Sequence, residues 1–338
     1  MRREDLVREC EPPDEREATQ VIIKLLTRRL DREYLPPART LRDAHPKQHG
    51  LVRANFIVEP NLRADLRFGI FADPRTYPAW VRFSNMSDPP GPDSAPDSRG
   101  MAIKLMEVQG EKLLDGERNA QTHDFVLMST NFFVTKGVAE FASLVKALDG
   151  GRARLLLHLL LHPYLLWLFL KARRRCASVL EIGYGSTTPY LLGTNAVKYS
   201  VRPLSPATSV IPDKPSDVFL REQMVERLSA SDAGFEFLVQ VQTDAREMPI
   251  EDPRVTWSEK LSPWVRVALL HIPAQQFDTP DQRDYGEHLS FTPWHALPEH
   301  RPLGGINRAR RDIYKTMSQI RHARNSAPRE EPTGWVDF

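Results

Sequence analysis

Between residues 50 and 130, short apolar runs alternate with clusters of residues that interrupt regular structure. The runs are rich in Val, Ile, Leu and Phe, and they read VRANFIVE, LRFGIFA, AWVRFS, GMAIKLMEV and DFVLM. Pro, Gly, Asp and Asn separate them, and the stretch SDPPGPDSAPDSRG holds too many such residues for any regular element. Short strands at this spacing are typical of an antiparallel barrel or sandwich.

The second half of the chain predicts three further strands. Phe235, Phe237, Val239 and Val241 alternate with other residues, which indicates a strand with one buried face. The three predicted strands are NAVKYSVR (195–202), GFEFLVQVQ (234–242) and WVRVALLHI (264–272).

Helices are predicted around these strands, because apolar residues recur at helical spacing in several segments. The segments are 14–34, 136–180, 217–230 and 307–324. We therefore predict a single α+β domain in which helices surround an antiparallel barrel or sandwich. Its parts are an N-terminal helical arm (1–40), the domain that contains the strands (41–305) with a helical insertion around 136–180, and a C-terminal helix and tail (306–338).

The charge and cysteine content exclude some classes of function. The chain carries 46 basic and 44 acidic side chains, a net charge of +2, whereas nucleic-acid binders usually have a basic excess on one face. We therefore predict no nucleic-acid partner. Cys10 and Cys176 cannot form a disulfide framework, and the charged N-terminus lacks the apolar core of a secretory signal. These features predict a cytoplasmic protein.

One stretch stands apart, LLLHLLLHPYLLWLFL at 155–170, with arginines and a lysine on both sides. It has 16 residues, whereas a membrane-spanning helix needs about 20. Two interpretations stay open. The stretch forms a buried helix pair hinged at Pro163, or it lies on a membrane surface as a peripheral segment whose cations meet lipid head groups.

Several motifs between residues 42 and 133 occur in a recognisable order. They are RDAHPKQHG (42–50), VRFSN (81–85), DSRGMAIKL (97–105) and DFVLM (124–128) followed by a Phe pair. They resemble the R-x-x-H, H-x-K-x-x-G, V-R-F-S and D-P-R-G-x-A-x-K motifs of the catalase superfamily, in particular its shorter, catalase-related peroxidase branch. The resemblance implies a catalase-like antiparallel β-barrel that binds haem b, with its iron, as cofactor.

On the distal side of the haem, the resemblance implies roles for five residues. His45 would move a proton between the two oxygens of a peroxide, and the Ser84 hydroxyl would orient its ring. Arg42 and Arg82 would bind the haem propionates, because guanidinium groups neutralise carboxylates well. Asp97 would lie in the substrate channel.

On the proximal side, the resemblance implies Tyr184 as the ligand of the iron. Tyr184 precedes Gly193 by nine residues, and Thr187 follows it at the position of a threonine in the family. A phenolate donates electrons to the iron and favours cleavage of the O–O bond. Catalases place an arginine four residues before this tyrosine, whereas this chain has Leu180 there. Tyr190 is the alternative ligand.

Two further positions complete the implied site. Phe133 would flank the porphyrin. Catalases orient peroxide with an asparagine, and counting back from Phe125 places Ala120 at that position. Asn119 and Gln121 lie on either side of it, and the sequence favours neither as the distal amide.

Three functions follow from this sequence. The first is a haem oxidoreductase that cleaves hydrogen peroxide or organic hydroperoxides as a peroxidase, with weak catalase activity because the proximal arginine is missing. The second is a haem enzyme that rearranges or cleaves fatty-acid hydroperoxides, in which the 155–170 stretch would draw substrate from a membrane. The third is a haem-binding protein without enzymatic activity. The resemblance also implies a homodimer.

Overall fold

The structure is a computed structural model that describes residues 6–338. Within these residues, nine strands form one sheet: β1 (Lys47–Val58), β2 (Thr76–Asn85), β3 (Arg99–Leu105), β4 (His123–Met128), β5 (Tyr184–Gly185), β6 (Tyr190–Leu192), β7 (Asn195–Pro203), β8 (Ala233–Val241) and β9 (Val265–Ile272). The helices are α1 (Glu15–Glu33), α2 (Val138–Asp149), α3 (Arg152–Leu161), α4 (Pro163–Ala172), α5 (Phe219–Ala230), α6 (Pro280–His288) and α7 (Gly305–Arg324).

The sheet closes into an eight-stranded antiparallel barrel. Its strand order is β5-β4-β3-β2-β1-β9-β8-β7, and β5 also pairs with β7, which removes the free edges. The short β6 adds to β7 outside this ring. The predicted α+β barrel with surrounding helices is confirmed. The three predicted strands of the second half correspond to β7, β8 and β9.

One predicted strand is wrong. The run LRFGIFA forms two 3-10 turns, Ala64–Leu66 and Gly69–Phe71, because the chain turns at Gly69, whose φ is +55°. The amide of Ile70 donates a hydrogen bond to the Nε2 atom of His300 rather than to a neighbouring strand. Leu66, Ile70 and Phe71 are still buried, so these apolar side chains belong to the core without forming a strand.

Aromatic side chains fill the inside of the barrel. Phe56, Phe125 and Phe237 are at most 2% exposed, and the ring of Phe237 lies 5.0 Å from that of Phe56 and 4.7 Å from that of Phe125. An eight-stranded barrel has room inside for little more than its own side chains. A large ligand must therefore bind against the outside of the barrel wall.

We expect Phe237→Ala to lower the free energy of unfolding by about 3–5 kcal/mol, because the truncated ring leaves a cavity among packed aromatics. Val210 is 82% exposed, so Val210→Ala is expected to change stability by less than about 0.5 kcal/mol. Denaturant unfolding followed by circular dichroism compares the two. A loss below about 1 kcal/mol in Phe237→Ala would show that the barrel interior is not closely packed.

Three helices pack together on the outside of the barrel and place α7. Apolar side chains of α1, α2 and α7 form one cluster, which includes Ile22, Val145, Ile313 and Met317. The guanidinium of Arg308 on α7 also pairs with the carboxylate of Glu15 at 2.7 Å. The predicted N-terminal helix therefore braces the C-terminal one.

Candidate functional site

A cavity lies between the barrel wall and α7. It contains about 730 Å³ of space free of protein atoms, a volume that includes the open solvent at its mouth. The wall residues come from β2, β3, β4 and the segment before β1, and the opposite residues come from α7 and the loop before it. The polar lining residues are Arg42, Asp43, His45, Arg82, Ser84, Ser290, Tyr314, Ser318 and Arg321.

His45 enters this cavity just before β1. It has a φ of +59°, and the guanidinium of Arg82 donates a hydrogen bond to its carbonyl oxygen at 3.1 Å, which holds the strained backbone. The Ser84 hydroxyl lies 3.2 Å from the Nδ1 atom of His45. A Cβ atom at Gly100 would lie 2.5 Å from the same nitrogen, so only glycine leaves room for the ring.

His45 is neutral in this environment. Burial lowers the pKa of His45 to about 3, and the positive charges of Arg82, Arg310 and Arg42 add to this effect. No hydrogen bond from a described residue reaches its Nε2 atom, whereas Nδ1 contacts Ser84. If Nδ1 carries the proton and donates it to Ser84, Nε2 is a free base in the cavity.

Three arginines gather at one end of the cavity. Arg82 pairs with Glu287 at 3.0 Å, Arg42 lies 4.0 Å from the same carboxylate, and Arg321 hydrogen-bonds the carbonyl oxygen of Glu287. Burial and the charges of Arg82 and Arg321 hold the pKa of Arg42 well below its ordinary value. Three guanidiniums beside two carboxyl groups, those of Glu287 and Asp43, leave positive charge that an anionic ligand would neutralise.

The opposite side of the cavity is one face of α7. Tyr314, Met317, Ser318 and Arg321 line it, at the spacing that places helical residues on the same side. Arg310 lies one turn before Tyr314 on this face, and it hydrogen-bonds the Thr188 hydroxyl at 3.3 Å. The cavity thus joins a neutral imidazole, three arginines and a tyrosine.

The structure brings four of the sequence-predicted site residues into this cavity. They are Arg42, His45, Arg82 and Ser84. Their convergence follows from strand pairing, because β2 lies between β1 and β3. Ser84 is directly opposite Gln48 on one side and Gly100 on the other. Motifs far apart in sequence meet through this register.

The structure places Tyr184 elsewhere. Tyr184 is 1% exposed and packs against Phe83 inside the barrel wall, and its hydroxyl donates a hydrogen bond to the carbonyl oxygen of Val179 at 2.7 Å. It does not line the cavity that contains His45. The prediction that Tyr184 lies across a haem from His45 is therefore corrected, since the barrel wall separates the two side chains.

The two residues predicted beside Tyr184 also lie outside the cavity. Thr187 is buried with a φ of +57°, and its hydroxyl has no partner within residues 6–338. The Tyr190 hydroxyl is likewise unpaired within those residues. Tyr190 contacts Tyr199 at 5.3 Å between ring centroids, so it belongs to the barrel core.

Neither predicted distal amide reaches the cavity. Asn119 and Gln121 are exposed in the connection between β3 and β4, and Asn119 lines a separate depression with Arg118 and Arg329. Counting residues back from Phe125 does not locate a distal amide, because β4 begins at His123 and the chain before it has no regular structure. Among the described lining residues, none carries an amide side chain.

Asp97 and Phe133 lie near the site without lining it. The carboxylate of Asp97 accepts hydrogen bonds from the amide and hydroxyl of Ser87, which fixes the loop before β3. The ring of Phe133 packs against that of Phe141 and lies 5.4 Å from the guanidinium carbon of Arg310. Phe133 therefore packs beside Arg310 and does not line the cavity.

The cavity-lining residues of α7, which include Tyr314 and Arg321, were not identified from the sequence. Arg310 and Tyr314 have the four-residue spacing expected of the proximal pair, and Arg321 follows two turns later. Because the segment was predicted as a helix, this spacing already indicated that Arg310, Tyr314 and Arg321 lie on one side of it.

A second cluster resembles a metal site by geometry. Nitrogen and oxygen atoms of Glu117, His295 and Glu331 lie within 4.8 Å of one another. The ammonium of Lys104 lies 2.6 Å from the Glu331 carboxylate, and Arg329 pairs with Glu117. Because these cations already neutralise both carboxylates, the cluster is an ion-pair network that fastens the C-terminal tail to β3.

Comparisons with known proteins identify the fold. The chain is similar to a fungal catalase, with a TM-score of 0.68 at 16% sequence identity over 87% of this chain and 61% of the catalase. It is equally similar to catalase A from Saccharomyces cerevisiae, with a TM-score of 0.68 at 15% identity over 87% of this chain and 63% of that one. The chain thus has a catalase-like fold and spans about three fifths of the length of these enzymes. No family model and no curated protein matches the sequence.

Proposed function

We propose that this protein binds haem b in the cavity beside α7 and is an oxidoreductase that cleaves the O–O bond of peroxides. The observation that carries the proposal is a neutral His45, oriented by Ser84, in the same cavity as Tyr314 and three arginines. A proton carrier, an anionic ligand for iron and a group of cations are the parts that peroxide chemistry on haem requires.

The donor set fits the two propionates of haem. The Nε atom of Arg42 is buried without a hydrogen-bond partner among the described residues, and its guanidinium lies beside Arg82 and Arg321. Arg42, Arg82 and Arg321 would hold the propionates, since guanidinium groups pair well with carboxylates. Apolar lining residues would contact the porphyrin: Met101, Ala102, Val126, Leu127, Phe291 and Met317.

Tyr314 replaces Tyr184 as the proposed ligand of the iron. Arg310 lies one helical turn before it, on the same side of α7, and hydrogen-bonds the Thr188 hydroxyl. This pair supplies the arginine that was missing four residues before Tyr184. When bound, haem iron would supply the electrons that split the peroxide O–O bond.

His45 would move the proton in this reaction. Its Nε2 atom takes the proton from one peroxide oxygen and returns it to the other, while Nδ1 donates to the Ser84 hydroxyl. The low pKa of His45 keeps Nε2 ready to accept. Gly100 and Arg82 maintain the ring in place, because the first leaves space for it and the second fixes its backbone.

The lining favours peroxidase turnover over the dismutation of hydrogen peroxide. An arginine now accompanies the proposed ligand, so its absence no longer argues for weak catalase activity. Weak catalase activity is instead expected because none of the described lining residues carries an amide that could orient a second peroxide molecule. We therefore propose hydrogen peroxide or an organic hydroperoxide as substrate, with an organic electron donor.

Titration with haemin tests the proposal. We expect a Soret band to form at one haem per chain and peroxide-dependent oxidation of an aromatic donor to accompany it. Arg321→Leu is expected to weaken haemin binding about 30-fold, because it leaves buried carboxylate charge unpaired. Arg324→Leu is the matched control on the same helix, since Arg324 pairs with Asp31 outside the cavity.

Two outcomes would contradict the proposal. If wild-type protein takes up no haemin, haem is not its cofactor. A haem complex that consumes no peroxide, with or without a donor, would leave a haem-binding protein. Analysis of products from a fatty-acid hydroperoxide, without any donor, separates a rearranging enzyme from a peroxidase.

The pH dependence of turnover gives a further prediction. Because burial lowers the pKa of His45 to about 3, we expect no loss of activity near the ordinary imidazole pKa of about 6.5. As pH falls, activity is expected to fall only when His45 becomes protonated near its own lowered pKa. Initial rates in buffers of matched ionic strength measure this. A step in the rate between pH 6 and 7 that disappears in His45→Gln would contradict the low pKa of His45 (those pH values bracket the ordinary imidazole pKa of about 6.5).

A further inference from the structure

The helices α3 and α4 form a hairpin with an exposed apolar face. Seven large apolar side chains of this hairpin are each at least half exposed: Leu156, Leu157, Leu160, Leu161, Tyr164, Trp167 and Leu170. Isolated exposed leucines are ordinary on protein surfaces, but a contiguous set of this size marks an interaction site.

The other face of the hairpin is anchored to the protein. Leu159 and Leu165 pack with Leu144 of α2, and Leu168 packs with Phe132. One face of the 155–170 stretch is therefore buried, as the first sequence-based interpretation predicts, and the other face is exposed. The buried leucines attach the hairpin to α2 and to Phe132, whereas the exposed leucines contact no other part of the described core.

The geometry of the hairpin suits a surface and not a crossing. No single helix among the described residues is long and apolar enough to span a membrane, and only α3 and α4 together pass by length and composition. The two helices are bent by 117° relative to each other. Each has 10 residues and is thus about 15 Å long, half of the hydrocarbon thickness of about 30 Å.

Positive charges surround the apolar face. Six basic residues flank it, namely Arg152, Arg154, Lys171, Arg173, Arg174 and Arg175. None of them forms a salt bridge with a residue of the described chain, although elsewhere most surface arginines do. No Asp or Glu occurs between residues 150 and 180. The apolar face is therefore bordered by cations without counter-ions.

Aromatic residues lie between the leucines and these cations. The rings of Tyr164 and Trp167 stack with centroids 5.7 Å apart, and the Lys171 ammonium lies 4.6 Å from the Trp167 ring. Tyr and Trp prefer the boundary between lipid tails and head groups, and a lysine beside them extends its charge towards water.

We propose that the α3–α4 hairpin docks on the surface of an anionic lipid bilayer. The leucines and Trp167 enter the outer part of the acyl layer, and the flanking cations contact acidic head groups. A second copy of the chain fits this face less well. Two hairpins packed about a two-fold axis would place their unpaired cations near one another without any acidic residue in between. The proposal does not depend on the cofactor.

Vesicle sedimentation tests the proposal with the full chain. We expect binding to vesicles of phosphatidylcholine mixed with phosphatidylserine, and weaker binding to phosphatidylcholine alone. Leu160→Glu with Trp167→Glu is expected to reduce the partition coefficient at least about 30-fold, because charged side chains resist insertion. Arg174→Glu with Arg175→Glu is expected to reduce it at least about 25-fold on the acidic vesicles only, at about fivefold for each of the two basic residues lost.

The matched control is Leu35→Glu with Val210→Glu, which changes the charge equally at exposed apolar residues outside the hairpin. This variant is expected to bind as the wild type does. Leu165 and Leu168 are unsuitable for substitution because both are buried. Wild type that stays in the supernatant with acidic vesicles overturns the proposal. So does a dimer in analytical ultracentrifugation that Leu160→Glu with Trp167→Glu dissociates, since the face would then belong to a second copy.

Discussion

Replacing His45 with alanine is expected to lower the rate of peroxide turnover by about 10²–10⁴-fold, while haemin binding is retained. The Nε2 atom of His45 has no hydrogen-bond partner in residues 6–338, and His45 is the only imidazole among the described residues that line the cavity. Without it, the cavity loses the ring nitrogen that Ser84 orients.

The experiment compares initial rates at saturating peroxide with the intensity of the Soret band in the same preparations. His271→Ala provides the control, because His271 pairs with Asp232 at 2.7 Å on the far strand β9 and does not line the cavity. It is expected to keep full turnover. Unchanged turnover in His45→Ala with haemin bound would remove His45 from the reaction and leave the cavity as a haem-binding site only.

The meeting of Arg42, His45, Arg82 and Ser84 in one cavity was predictable because it depends on neighbouring strands. Arg42, His45, Arg82 and Ser84 belong to segments that pair in sequence order, β1 with β2 and β2 with β3. Pairing between strands that follow one another along the chain can be predicted from the alternation of strands and turns. The positions of these residues therefore transfer directly from motif to structure.

The place of Tyr314 in the same cavity was not predictable in this way. Tyr184 satisfied a spacing to Gly193, but spacing does not tell on which side of a barrel wall a side chain lies. The place of Tyr314 depends on the packing of α7 against α1 and α2, which contacts distant in sequence determine. Only the helical interval between Arg310 and Tyr314 signalled it.

Irregular connections caused the remaining errors. Asn119 and Gln121 lie in the connection between β3 and β4, whose backbone follows no period, so counting residues across it cannot place a side chain. The run LRFGIFA has the composition of a strand, yet Gly69 at positive φ turns it. The stretch 155–170 is apolar around both helices, so its composition could not tell its buried face from its exposed one.

Tyr314→Phe is expected to change the haem spectrum and to weaken haemin binding about 10- to 100-fold, because it removes the phenolate oxygen and keeps the ring. A high-spin, phenolate-like spectrum in the wild type should give way to a spectrum without charge transfer from tyrosine. Tyr184→Phe serves as the matched control. It is expected to keep the wild-type spectrum and to cost about 1 kcal/mol of stability, since the hydrogen bond to Val179 is lost.

Haemin titrations monitored by absorbance, with denaturant unfolding of each variant, separate the two tyrosines. Because Phe retains the packing of either ring, a change in the spectrum reports on the hydroxyl and not on the fold. A spectrum that changes in Tyr184→Phe and stays unchanged in Tyr314→Phe would return the ligand to the barrel wall and place the haem away from α7. A change in Tyr314→Phe alone assigns the proximal side to α7, where Arg310 completes the pair.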